Sequence, residues 1–309
     1  MTQQCSCPIC ESESTRLYAK TKDVEYLTSD EVYTYNECES CGTIFLDGFP
    51  TDKLGEIYPS NYYSFQDQKK NIALRVKEFL DKRLFKRLLS EFNGKPINIL
   101  DIGGGSGWLL DTIKSVYPQV EITQVVDIDS QAKEIAERQG HRFFNGPVEE
   151  FTSDIKFDFV LMLNLIEHIA NPLETLRQIQ GMMNPGGLML IKTPNTESLD
   201  ARLFRSSYWG GLHCPRHWIL FSMSSFKLMV SKTNLEVKKI KYTQGAPFWA
   251  WSVLLKMQRA KLVSITRERP VMFHPLIPFL HIFFAGFDFL RGAFGAKTAQ
   301  MFIELRRPE

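Results

Sequence analysis

The chain has 309 residues, 44% of them hydrophobic and 23% charged, so it is long enough for one large folded domain or two ordinary ones and too apolar to be disordered. Its 37 basic and 35 acidic side chains leave a formal net charge of only +2, which argues against a protein that grips nucleic acid through bulk charge. The opening MTQQCSCPIC lacks the basic start and apolar stretch of a secretory signal, and neither end shows a lipidation motif, so the expected compartment is the cytoplasm.

Five of the six cysteines crowd the start of the chain, none of them later than Cys41. Cys7-Pro-Ile-Cys10 and Cys38-Glu-Ser-Cys41 are two CxxC knuckles on either side of the stretch 11–37, a spacing at which four thiolates close on one zinc ion and leave no position for catalysis. Residues 1–66 are therefore read as a small zinc-binding module whose ion serves folding, with Cys5 a spare thiol. The module ends in the aromatic run YPSNYYSF (58–65). A helical pattern from about 71 to 92 follows, with Ile72, Val76, Phe79, Leu80, Leu84, Leu88 and Leu89 on one side, which makes 67–95 a linker helix. Its other face is basic and is read as solvated surface.

From residue 96, apolar runs alternate with amphipathic ones. INILDI (97–102), ITQVVD (122–127), FDFVLMLN (157–164) and LMLIKT (188–193) predict strands of a parallel sheet covered on both faces, an α/β fold. Asn171-Pro172 predicts a capped helix start, and Asn184-Pro185-Gly186-Gly187 the stop of that helix. Ser222 predicts a further helix start, ahead of the strand-like LEVKKIKY (235–242), and AQMFIEL (299–305) is the last strand. Between them lie APFWAWSVLL (246–255), a basic patch of Lys256, Arg259, Lys261, Arg267 and Arg269, and VMFHPLIPFLHIFFAGF (271–287). That final run carries no formal charge, but Pro275 and Pro278 break it. Two readings stay open for 246–291: a cap over the active site, or an interfacial element in peripheral contact with the inner membrane.

The chemistry-bearing signal is Asp101-Ile-Gly103-Gly104-Gly105-Ser-Gly107-Trp108, set between a strand and a helix. Glycines there let a ligand approach the backbone, and the helix start offers unpaired N–H groups. Trp108 stands where a dinucleotide fingerprint has its third glycine, and Asp101 repels a pyrophosphate, so an aminoacyl sulfonium ligand suits the turn better. Asp127 ends the next strand, placed to accept both ribose hydroxyls, with Ile128 against adenine and Asp129 the weaker rival.

These motifs, followed by LMLNLIEHIANPLETLRQIQGMMNPGGLMLIKTPN (161–195), resemble in their order the class I S-adenosylmethionine-dependent methyltransferases, over about 97–242 and the final strand. The resemblance implies a seven-stranded Rossmann-like sheet whose last strand runs antiparallel between the fifth and sixth. The methyltransferase domain then runs over 96–309 with a helical, apolar insertion at about 243–297. It also implies S-adenosylmethionine held by Asp101, Gly103, Gly104, Gly105, Asp127, Ile128 and Asn164, with Asn145 or a backbone carbonyl in place of the usual adenine-binding acid. The double CxxC module followed by YPSNYYSF is similar to a bacterial subgroup associated with cell-surface glycan or lipid-linked sugar pathways. Sugar C-methyltransferases of that architecture have His-Glu-His where this chain reads Cys214-Pro215-Arg216-His217, so oxygen methylation is the expectation here.

Methyl transfer to oxygen is an in-line displacement that needs an aligned nucleophile and a base. His168, beside Glu167 after the fourth strand, and His217 are the candidate bases, with Glu167 orienting His168. His213 and Arg216 are weaker candidates for substrate contact, Arg216 through a phosphate or carboxylate. No catalytic metal is expected. The expected protein methylates a sugar, a cell-surface glycan precursor or a lipid-linked small molecule, using S-adenosylmethionine and a structural zinc. Its rivals are an RNA methyltransferase whose zinc module grips RNA, and a noncatalytic cofactor-binding assembly module.

Overall fold

The computed structural model describes residues 6–59, 72–205 and 208–309, so Cys5 and most of the aromatic 58–65 run lie outside the described residues. The N-terminal region has three antiparallel strands, β1 (Thr15–Thr21), β2 (Tyr33–Cys38) and β3 (Ile44–Leu46), and a short helix α1 (Leu54–Ile57). Helix α2 (Ile72–Leu89) leads into β4 (Ile97–Ile102), α3 (Trp108–Lys114), β5 (Val120–Asp127), α4 (Ser130–Arg138) and β6 (Arg142–Asn145). Then come β7 (Phe157–Leu163), α5 (Pro172–Met182), β8 (Met183–Pro194), α6 (Leu199–Leu203), β9 (Ile219–Leu220) and α7 (Met223–Ser231). The chain finishes with β10 (Glu236–Thr243), α8 (Ala246–Arg259), α9 (Ile277–Ala293) and β11 (Gln300–Arg306).

Seven strands form one mixed sheet in the order β10-β11-β8-β7-β4-β5-β6, with β11 antiparallel to both of its neighbours and β4 to β8 parallel. AQMFIEL thus lies inside the sheet, as the resemblance implies. Ile99, Leu100, Val125, Phe159, Val160 and Leu161 are completely buried, which is why the central strands read as unbroken apolar runs. Ser222 begins α7 with a reciprocal cap, its Oγ accepting from Ser225 N at 3.1 Å while Ser225 Oγ accepts from Ser222 N at 3.0 Å.

Three local expectations change. The helix ahead of Asn184 to Gly187 does end before the next strand, but the run is not a separate stop: α5 ends at Met182, β8 begins at once and contains the run, and Gly186 sits at φ +73. Pro172 opens α5, but the Asn171 side chain makes no capping bond. In α2, Val76, Phe79 and Leu80 are more than half exposed, and among the described side chains those of its last turns, Phe85, Leu88 and Leu89, enter the core.

The N-terminal module also fails to close on itself. Its sheet has the order β1-β2-β3-β9, so the fourth strand comes from residues 219–220, with Ile44 opposite Leu220 and Phe45 opposite Ile219. Three short strands bury too little apolar surface alone, and here Cys7, Ile9, Tyr35 and Phe45 share one continuous core with Leu220, Phe221 and Met223. Helices α8 and α9 pack as a hairpin, with Trp249 stacked on Phe284 at a ring distance of 5.1 Å, and the segment between them meets the N-terminal module where Val271 N donates to the Glu25 carbonyl at 3.1 Å. No helix among the described residues is long and apolar enough to cross a membrane.

Candidate active site

The turn after β4 carries Gly103, Gly105 and Gly107 at φ +74, +52 and +81, a left-handed backbone that other residues resist. A Cβ on Gly104 would fall 2.6 Å from Cγ of Asp101, because the loop is folded down onto that carboxyl group. Asp101 is 2% exposed, and its Oδ2 has no hydrogen-bond partner among the described residues. Burial, with the charge of Asp127 next, pushes its pKa up to about 7. An acid in that position lacks a donor or a cation, and the amino-acid end of a sulfonium nucleoside supplies both.

Asp127 sits at the end of β5, where Oδ2 accepts from Gly105 N at 2.8 Å and Oδ1 from Asp129 N at 2.9 Å. These bonds fix the carboxylate and leave a lone pair on each oxygen for the two hydroxyls of a ribose. Burial raises its pKa against the pull of those amides. The rival Asp129 caps α4, accepting from Gln131 N at 2.9 Å. Ile128 stands 48% exposed beside Asp127, and Asn145 donates from Nδ2 to the Asp127 carbonyl at 3.1 Å. Asp101, the three glycines, Asp127, Ile128 and Asn145 therefore gather at the carboxyl ends of β4, β5 and β6. This is the ligand-binding side of an open α/β sheet.

Asn164 belongs to the neighbouring cluster, since its side-chain amide reaches Glu167 Oε1 at 3.4 Å. The loop after β7 abuts the glycine turn: a Cβ on Gly103 would lie 3.3 Å from Leu165. It then tightens into a 3-10 turn over Ile166–His168. Glu167 is completely buried, its Oε2 accepting from the Thr193 hydroxyl at 2.9 Å, and burial still raises its pKa to about 7.

His168 is partly exposed, and its Nδ1 lies 2.9 Å from both the Arg216 carbonyl and the Tyr58 hydroxyl. That carbonyl selects the tautomer with hydrogen on Nδ1, which puts the lone pair on Nε2. Burial, with His213 next, lowers the pKa to about 3, so the ring is neutral. His217 is held in the same way by the Gly211 carbonyl, 2.8 Å from Nδ1, and its Nε2 lies 3.9 Å from Glu167 Oε1. The His217 ring meets those of His168 and His213 at 4.7 and 5.0 Å. Donor atoms of Glu167, His168 and His217 all lie within 4.8 Å of one another, a set that also suits a cation. No sequence pattern marks that set, because β8, α6 and the turn at Gly211 separate His217 from His168 along the chain.

His213 and Arg216 do not take the substrate-contact roles expected of them. Arg216 is completely buried, its Nη2 2.8 Å from Asp23 Oδ2 and its guanidinium 4.4 Å above the Tyr26 ring, so it is a structural ion pair. His213, 1% exposed, is bonded through Nδ1 to the buried Glu25 carboxylate. Asp23, Glu25, Tyr58 and Thr193 are the residues that sequence reasoning missed. All act through partners far along the chain, and only the acidic spacing in DVE marks the first two.

In the N-terminal module the four sulfurs converge. Cys7 and Cys41 Sγ are 3.6 Å apart, Cys10 and Cys38 Sγ are 3.4 Å apart, and all four lie within 4.8 Å. A tetrahedral ion with bonds of about 2.3 Å sets sulfurs about 3.8 Å apart, so the donor set fits. The Ile9 amide, 3.5 Å from Cys7 Sγ, and the Thr43 hydroxyl, 3.1 Å from Cys41 Sγ, favour the thiolate form.

A parallel sheet closed by an inserted antiparallel last strand, with an acid under its glycine turn and a second at the next strand end, defines the class of Rossmann-like S-adenosylmethionine-dependent methyltransferases. Residues 73–240, more than half of the chain, match the family described as methyltransferase domain, and the chain belongs to that family. It is similar to a malonyl-[acyl-carrier protein] O-methyltransferase of Halalkalibacterium halodurans, 29% identical over 133 residues, 40% of this chain and 47% of that protein. A ubiquinone biosynthesis O-methyltransferase of Rickettsia felis is 22% identical over 185 residues, 57% of this chain and 76% of that protein. The chain thus spans about half the length of the first of these relatives. Coclaurine N-methyltransferase bound to N-methylheliamine and SAH superposes with a TM-score of 0.50 at 17% identity, covering 83% of this chain and 81% of that one, a likeness of fold.

Proposed function

We propose that this protein transfers the methyl group of S-adenosylmethionine to a hydroxyl of a sugar, a cell-surface glycan precursor or a lipid-linked small molecule, with His168 as the base. The observation that carries the reading is the neutral His168 imidazole, its lone pair on Nε2, in the loop that packs against the cofactor turn at Gly103. When bound, the cofactor supplies a methyl carbon activated by a sulfonium. Asp127 would hold the ribose and Asp101 the amino-acid end, which orients that carbon. His168 would take the hydroxyl proton on Nε2 as the oxygen attacks, and the Arg216 carbonyl stabilises the imidazolium that forms. Glu167, whose carboxyl oxygen lies within 4.8 Å of a His168 ring nitrogen, would favour that charge directly across the cluster. Cys7, Cys10, Cys38 and Cys41 would hold a structural zinc ion, and the reduced thiols this needs fit a cytoplasmic protein.

The test is incubation of a cell-envelope extract with labelled methyl donor, followed by mass analysis. Label in an alkali-stable ether of a glycan or lipid-linked acceptor is the expected result, and label confined to RNA overturns it. His168→Gln should lower kcat by roughly 100-fold or more while leaving affinity for S-adenosylhomocysteine unchanged, and an unaffected kcat removes His168 as the base.

A further inference from the structure

Helix α9 packs Phe284 and Phe287 on Trp249 and buries Asp288, and it turns a second row of large apolar side chains outward. Asp288 is 1% exposed, accepting from Gly245 N at 3.1 Å, Trp249 Nε1 at 3.2 Å and Arg291 Nη1 at 2.8 Å. Phe279, Ile282, Phe283, Phe289, Leu290 and Phe294 are between 61% and 90% exposed. Their spacing places them on one face, with Gly286 and Ala293 between them and no charged side chain among them. At helical rise the stripe from Phe279 to Phe294 is about 22 Å long. Scattered exposed apolar residues are ordinary, but a contiguous stripe of this size marks a surface that something covers.

Charge says what covers it. Residues 244–298 hold seven Lys or Arg against Glu268 and Asp288, the latter buried beside Arg291, while the rest of the chain has 30 basic against 33 acidic residues. The hairpin delivers that charge to the stripe. Trp249 and Gly245, at the start of α8, meet Phe284 and Asp288, whereas Leu254 and Leu255, near its end, share a cluster with Ile277 and Leu280. The two helices are therefore antiparallel, and exposed Lys256, Arg259 and Lys261 lie at the end of the stripe that begins with Phe279. Leu262, 71% exposed, extends the apolar surface there, followed by exposed Arg267 and Arg269.

We propose that this face docks on a bilayer containing anionic lipid, with the α9 phenylalanines in the boundary between headgroups and acyl chains and the basic cluster against the headgroups. A second copy of the chain is disfavoured, because the α9 face offers no acid to meet its partner's basic cluster. The helix lies on the bilayer and does not span it. The inference goes beyond the proposed reaction and does not depend on it.

Sedimentation with phosphatidylcholine vesicles, with and without phosphatidylglycerol, tests it on the full chain. Binding should be ~10-fold or more tighter to the anionic vesicles and should weaken as salt rises. The exposed double variant Ile282→Glu/Phe283→Glu should lose binding ~10-fold or more, and Lys261→Glu/Arg269→Glu should lose the preference for phosphatidylglycerol. Both variants should keep the wild-type melting temperature. Wild-type protein that ignores both vesicle types at low salt overturns the proposal, as does a double variant that binds unchanged. A wild-type dimer by light scattering that the double variant dissolves also overturns it, in favour of a second copy. Calorimetry with S-adenosylhomocysteine runs alongside: wild-type protein that binds vesicles but not this ligand would defeat the enzymatic reading and leave the docking intact.

Discussion

Two carboxylates, Asp101 and Asp127, line the proposed cofactor site, and they should respond differently to substitution. Asp127→Ala removes charge-assisted bonds to a ribose and should weaken S-adenosylhomocysteine binding by about 1–3 kcal/mol in calorimetry; an unchanged affinity would show that the ribose lies elsewhere. Asp101 has an ordinary pKa of 3.8 and a folded-state value of about 7, so the unliganded folded protein binds the extra proton. Its contribution to stability is present below about pH 4 and is lost as pH rises towards 7, by up to about 4 kcal/mol. Asp101→Asn should therefore raise the melting temperature relative to wild type at pH 8 and not at pH 4, while flattening the rise in cofactor affinity across pH 6 to 8. A stability difference that does not grow with pH would contradict the buried, unpartnered carboxyl. These residues are legible in the sequence because the glycine turn and the strand end are local patterns. The Asp23 bond to Arg216 spans 193 residues and the Glu25 bond to His213 spans 188, so neither leaves a periodic or short-range trace.

Among the elements, those whose stabilisation is local match their sequence signals. β4 coincides with INILDI, and α7 starts where the Ser222 side chain satisfies its first amides. Ser222→Ala should cost about 1 kcal/mol in urea denaturation, and loss of less than a few tenths would mean that packing alone holds the helix start. Elements whose stabilisation is tertiary are less readable. β9 has two residues and exists because β3 pairs with it, and Val76, Phe79 and Leu80 of α2 form an exposed apolar row that periodicity alone assigns to a core. Periodicity reports that a face is apolar, not what it meets, and α9 shows the same ambiguity in a stronger form.

At the scale of the molecule, the N-terminal sheet and the methyltransferase sheet share one core through β9. The Tyr35 hydroxyl on β2 donates to the His217 carbonyl at 2.9 Å, which ties the module to the histidine cluster. Chelation of the proposed zinc should therefore lower the temperature of one unfolding transition in scanning calorimetry. Two transitions, with the upper one indifferent to chelator, would show that the module folds alone. Asp23→Ala strands the completely buried Arg216 guanidinium without its counter-charge and should cost about 3–5 kcal/mol by denaturant unfolding. A loss below about 1 kcal/mol would mean that solvent reaches Arg216 once the acid is gone.

That buried pair also bears on how such a chain can diverge. Asp23 and Arg216 sit on opposite sides of the join, and neither is tolerable without its counterpart, so lineages that alter one should be found to have altered both. Grafting this chain's opening module onto a distant cousin's catalytic half would import an acid with no base to answer it.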